Sequence, residues 1–104
     1  MTTFKNYTPH AITLNDGRTF ASEGLARVSA TFSDFDGDGV CEQRFGDVTG
    51  LPAPATGVLY IVSALVLTAA KAAGRTDCVA PATGHPDCVR SDKGFIVSVP
   101  GFVR

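Results

Sequence analysis

The sequence predicts an α+β fold: a compact, mainly antiparallel β domain, either barrel-like or a sheet packed on one helix, Ala64–Ala73. Three observations predict it. Short runs of alternating or β-branched residues recur along the whole chain, punctuated by turn signals such as Asn15-Asp16-Gly17 and Ser91-Asp92-Lys93-Gly94. Only Ala64–Ala73 is dense in helix formers. The 104 residues, 44 % hydrophobic and 18 % charged, suit one folded domain spanning 1–104 and leave no room for a second.

Phe4 to Tyr7 reads as a first strand, broken at Thr8-Pro9 because proline lacks an amide hydrogen and biases its neighbour towards extended geometry. Ala11 to Leu14 alternates as a strand does, and Asn15-Asp16-Gly17 supplies a hairpin turn into Thr19-Phe20. Leu25 to Val28 and Val40 to Phe45 are further strands, joined through the acidic loop Asp34–Gly39. Leu51-Pro52-Ala53-Pro54 is a rigid extended connector. Val58 to Val62, β-branched and aromatic, is the strongest strand signal in the chain. Ser63 stands where an N-cap belongs, and Gly74 offers the left-handed position that ends a helix. Cys78-Val79, Cys88 to Arg90 and Phe95 to Val99 complete the β pattern.

Composition excludes several classes of function. With a net charge of −1 and basic residues scattered rather than massed, the chain has no footprint for DNA or RNA. The uncharged stretch Val58 to Ala70 is shorter than the roughly 20 residues of a membrane span. Three cysteines, an odd number with no signal peptide before them, point to reduced thiols and a cytoplasmic location. A modest core in so short a chain favours a homo-oligomer.

Asp34-Phe35-Asp36-Gly37-Asp38-Gly39 matches the first half of an EF-hand loop, but position twelve, which needs a bidentate acid, is Phe45. A solvated acidic turn accounts for it better. Cys78, His85 and Cys88 lack the paired knuckles of a structural zinc site, so no metal is expected. There is no G-x-G-x-x-G, Walker loop, G-x-S-x-G or H-E-x-x-H, which argues against nucleotide cofactors and the common catalytic signatures. No cofactor is expected.

What remains is a polar set around the helix. Ser63 lies at its N-terminus, where unpaired amides favour an anion. Arg75 and Asp77 follow the helix, then Thr83-Gly84, then Arg90; arginine forks suit phosphate, and a Thr-Gly turn offers a hydroxyl and an amide. Asn6, Thr8 and His10 form a second polar set, and Tyr60 offers a ring for stacking on a base. The same residues also allow a structural reading, in which Arg75 pairs with Asp77 and Thr83-Gly84 is simply a turn.

Asn6-Tyr7-Thr8-Pro9-His10, Leu51-Pro52-x-Pro54-x-x-Gly57-x-x-Tyr60-Ile61-Val62-Ser63 and Arg75-x-Asp77-x-x-x-Pro81-x-Thr83-Gly84, with Val89-Arg90 and Gly94-x-Ile96 after them, form an ordered set. Together they resemble a family of short phage and prophage proteins, notably of actinobacteria. The resemblance covers most of the chain. By analogy with small phage proteins that counter host immunity, it implies a non-enzymatic protein of the bacterial host cytoplasm that sequesters a phosphorylated nucleotide signal of the cyclic-nucleotide or cyclic ADP-ribose type. Arg75 and Arg90 would then clamp phosphate, with Ser63, Thr83 and Gly84 donating hydrogen bonds and Tyr60 stacking. Two alternatives stand beside it: a small hydrolase or phosphodiesterase with His10 as general acid/base, and a protein-interaction or virion-associated protein.

Overall fold

The computed structural model describes residues 2–104. It is mostly strand with one helix. The strands are β1 (Thr3–Asn6), β2 (Ile12–Thr13), β3 (Thr19–Phe20), β4 (Arg27–Phe32), β5 (Gln43–Thr49) and β6 (Val58–Ile61) before the helix α1 (Ala64–Ala72). After it come β7 (Cys78–Pro81), β8 (Val89–Arg90), β9 (Ile96–Ser98) and β10 (Phe102–Val103). A four-stranded sheet in the order β1-β6-β7-β10 is the centre, and three antiparallel ribbons, β2-β3, β4-β5 and β8-β9, surround it.

Four of the six strand pairings are antiparallel, but the central sheet departs from that rule. Thr3 to Asn6 runs parallel to Val58 to Ile61, and Tyr60-Ile61 runs parallel to Cys78-Val79. The reason lies in the segment from Val58 to Pro81. A strand leads into a helix that crosses back over the sheet, so the next strand must start at the same end, which is the β-α-β arrangement. Tyr60 to Val62 are consecutively buried, because a strand covered on both faces does not alternate.

One face of this sheet presents Tyr60, Val62, Cys78 and Ala80 to Val66, Leu67 and Ala70 of α1, with Ala26 completing the cluster. The intervening Ile61 and Val79 point the other way and are also buried, as the two-residue period of a strand requires. On the flank away from the helix, Phe4, Phe20 and Phe102 form a triad with ring centroids 5.0 to 5.8 Å apart. Phe4 and Phe102 stand on the two outer strands, which in a flat four-stranded sheet lie about 14 Å apart. The sheet therefore curls until its edges meet through side chains. No hydrogen-bond ladder joins β1 to β10, so the barrel, one of the two expected forms, is not closed.

The helix begins and ends as its sequence dictates. Ser63 accepts a hydrogen bond from the Val66 amide at its Oγ, 3.3 Å, as an N-cap. At the other end Gly74 turns to φ +91°, its amide donates to Lys71 and that of Arg75 to Ala70, the two bonds of a Schellman stop. The helix ends at Ala72, with Ala73 as its C-cap, one residue short of the expectation. The outer ribbon is shifted from the expectation, β4 starting at Arg27 instead of Leu25 and running on to Phe32, and β5 covering Gln43–Thr49 instead of Val40–Phe45; β10 escaped the sequence reading altogether. Among the described residues no helix is long and apolar enough to cross a membrane.

Candidate functional site

The parallel strands β1, β6 and β7 end side by side, and the chain leaving each of them contributes to one cleft of about 430 Å³. Thr8 and His10 follow β1, Ser63 and Ala64 follow β6, and Pro81 and Thr83 end or follow β7. The far wall is the tail of the β8-β9 ribbon, Ile96 to Val99, with Ile12 and Thr13 of β2. Clefts at the carboxyl ends of parallel strands are where open α/β sheets bind ligands, because the strands end together and the following helix aims its free amides there. In α1 the first main-chain bond runs from Leu67 to the Ser63 carbonyl and the cap oxygen is taken by Val66. The Ala64 and Leu65 amides precede both, at the positive end of the helix dipole.

The N-terminal side of the cleft is built on Asn6, which is fully buried. Its Nδ2 donates to the carbonyls of His10, 2.8 Å, and Phe20, 2.9 Å, and its Oδ1 accepts from the Thr8 amide, 2.9 Å. The Thr8 hydroxyl lies 2.6 Å from Asn6 Oδ1 and 2.9 Å from the His10 carbonyl, and its single proton serves one of them at a time. Both ends of the Asn6 amide are thus spent on shaping the Tyr7–Ala11 turn and tying it to β3. Asn6 is a positioning residue, and it sets where Thr8 and His10 stand.

Arg90 plays a similar part on the opposite rim. Its guanidinium donates to the Thr83 carbonyl, 3.1 Å, and to the Gly94 carbonyl, 3.3 Å, tying the turn after β7 to the β8-β9 ribbon. Thr83 reaches the cleft wall, whereas Gly84 and Arg90 stand beside it in exposed positions.

Arg75, Asp77 and Tyr60 are elsewhere. Arg75 sits just past the helix C-terminus, about 14 Å of helix away from Ser63. Its Nε and Nη2 donate to the two carboxylate oxygens of Asp77 at 2.8 and 2.9 Å, and Nη2 also donates to the Pro52 carbonyl at 2.9 Å. The bidentate hydrogen bonds to Arg75 hold the Asp77 carboxyl below its ordinary range and push the arginine higher still. Tyr60 is 3 % exposed; its hydroxyl donates to the Ala53 carbonyl and its ring packs edge-on against Tyr7, with Arg75 over its face. Arg75, Asp77 and Tyr60 therefore form a structural lock between the Pro52 connector and the sheet, and the phosphate clamp expected from Arg75 with Arg90 is not assembled. The structural reading of Arg75 with Asp77 holds because a two-residue spacing lets their side chains meet on one side of the chain entering β7.

The acidic loop is also self-contained: Asp36 Oδ1 accepts from the amides of Asp38, 2.9 Å, and Val40, 3.1 Å. Among the described residues no three His, Cys, Asp or Glu side chains converge on one point. Sequence reasoning missed the apolar wall, Ile12, Ile96 and Val97, because these residues read only as strand. Their alternation gave no sign that two ribbons 80 residues apart close on one another. Comparison with family models, with curated proteins and with solved structures finds no match for this chain.

Proposed function

We propose that this protein binds a small phosphorylated nucleotide in the cleft at the carboxyl ends of β1, β6 and β7, and acts by sequestering it. The convergence of the α1 N-terminus on that cleft is the observation that carries the reading. A volume of about 430 Å³ falls within the range of small-ligand sites, and an apolar wall with a few polar groups at one end is their usual make-up. The phosphate is assigned to the Ala64 and Leu65 amides with the hydroxyls of Ser63 and Thr83, in place of the arginines. The base or ribose lies along Ile12, Ile96 and Val97. A cyclic nucleotide or cyclic ADP-ribose signal of host immunity, the ligand class implied by the resemblance to phage proteins, combines these two halves in one molecule.

Calorimetry of the purified chain against cyclic dinucleotides, cyclic ADP-ribose isomers and inorganic phosphate tests this. Saturable binding of a nucleotide, lost on filling the wall with Ile12→Trp, is the expected result. A folded protein that binds no member of the panel overturns it. The position of His10 in the cleft supports a second reading, hydrolysis with that imidazole as general acid/base. Recovery of the bound nucleotide unchanged after long incubation removes the second reading and leaves the first.

A further inference from the structure

From Ser29 to Asp47 every residue except Cys41 is exposed, although this segment is the longest ribbon of the protein. Phe32 is 65 % exposed, Phe35 72 %, Val40 60 % and Phe45 42 %. At its base the β4-β5 ribbon belongs to the core, since Val28 and Val48 pair with each other and pack against the helix-side cluster. Between the Val28–Val48 and Ala30–Phe45 pairs β5 holds one extra residue, a bulge; along the unbulged β4 the two-residue period puts Ala30 and Phe32 on the face of Val28, and Phe45 stands opposite Ala30 on that face. The apolar face that is buried at the base thus runs on past the edge of the body with nothing over it.

We infer that the outer part of the β4-β5 ribbon is a self-association surface, and that a second copy of the same ribbon covers it. The size of the protein's surface argues for this occupant. A folded monomer of 10.8 kDa exposes about 5,500 Å², whereas this chain exposes 6870 Å². The excess is roughly 1,300 Å², more than the ~800 Å² that each partner gives to a standard stable interface. The radius of gyration, 15.7 Å, likewise exceeds the ~13 Å of a compact domain of this length. A lone two-stranded ribbon is marginal in water and needs further strands or packing, which its own symmetry mate supplies.

Charge sets the orientation. The ribbon tip carries Asp34, Asp36 and Asp38, whereas its base carries one charge of each sign, Arg27 and Asp47, all of them exposed. Tip-to-tip association would bring six carboxylates together, so the two ribbons lie antiparallel, each acidic tip towards the other copy's base. The same acids disfavour an anionic lipid surface. None of the cleft residues lies on this ribbon, so the surface is independent of the ligand site.

Light scattering behind size exclusion tests the inference on the full chain. The wild type is expected at twice 10.8 kDa. Phe32→Glu, a change at an exposed position, is expected to run at the single-chain mass with an unchanged circular dichroism spectrum, its association weakened on the order of a hundredfold or more. Phe95→Glu, on the β8-β9 ribbon and 70 % exposed, is expected to stay dimeric. A wild type that is monomeric across its soluble range, a dimer that survives Phe32→Glu, or a dimer lost only with Phe95→Glu overturns the assignment.

Discussion

Arg75 and Asp77 meet edge to edge, two nitrogens on two oxygens at 2.8 and 2.9 Å, with about a fifth of either side chain or less left to solvent. The pair closes the turn between α1 and β7 and holds the Pro52 connector through a third hydrogen bond. Because the Asp77 carboxyl is held below its ordinary value near 3.8, its stabilisation is fully present above that value and is lost as pH falls through the lowered one. Asp77→Asn is expected to cost about 1–3 kcal/mol at neutral pH. In urea titrations carried down through the carboxylate range, the gap between variant and wild type should narrow as the acid protonates. A gap that stays constant would place the cost outside the ion pair.

Asn6→Asp changes one NH₂ into an oxygen at a site with no exposure. The introduced carboxylate would face the carbonyls of His10 and Phe20, which the Asn6 amide now serves. A cost of about 3–5 kcal/mol is expected at neutral pH. The new carboxyl titrates upward in the fold, so the penalty should ease as pH falls through its raised pKa; here the gap closes because the variant gains stability, whereas with Asp77→Asn it closes because the wild type loses it. Thermal melts at several pH values read both signs directly.

The three thiols should divide by reactivity. Cys78 is 3 % exposed, and burial, with the Asp77 charge beside it, pushes its pKa up to about 11. Cys41 and Cys88 are half-buried. An aromatic disulfide reagent is expected to titrate two thiols rapidly in the native protein and the third only on unfolding.

Ala64→Asp separates fold from ligand. A carboxylate in the first turn of α1 favours the helix dipole and should leave stability unchanged or raise it by about 0.3–1 kcal/mol. The same charge stands in the cleft where phosphate is assigned. Nucleotide affinity measured by calorimetry is expected to fall by about tenfold or more.

Phe102→Ala should loosen the curled sheet. Removing the ring that bridges to Phe4 and Phe20 is expected to cost about 2–4 kcal/mol. Phe95→Ala, a change at a 70 % exposed ring, should cost about 0.5 kcal/mol or less. Equal losses in chemical denaturation would show that the triad does not hold the sheet edges.

The helix was legible because its signals are local. Ser63, the run after it and Gly74 act within a few residues of one another, and so do the hairpin turns at Gly17 and Gly94. Strand direction was not legible, since the parallel course of Val58-Ile61 and Cys78-Pro81 depends on where the helix between them lands. The same limit governed the site. Ser63 and Thr83, found from cap and turn chemistry, and Thr8 and His10, from the second polar set, do come together. Arg75, chosen for its charge, was already bound to a neighbour two residues away, and the β10 strand, two residues long, carried too little pattern to register.

The pairing of Thr3 with Val58 joins residues 55 positions apart, and it has a consequence for how the protein is made. β1 has no strand-pairing partner until the chain as far as β6 has been made. The β-α-β segment, whose strands and helix are adjacent in sequence, can form first and serve as the template onto which the N-terminal strand docks. Since that docking also brings Asn6 to the carbonyl of Phe20 and carries Thr8 and His10 into the cleft wall, the cleft takes its full lining only once the N-terminal strand has docked.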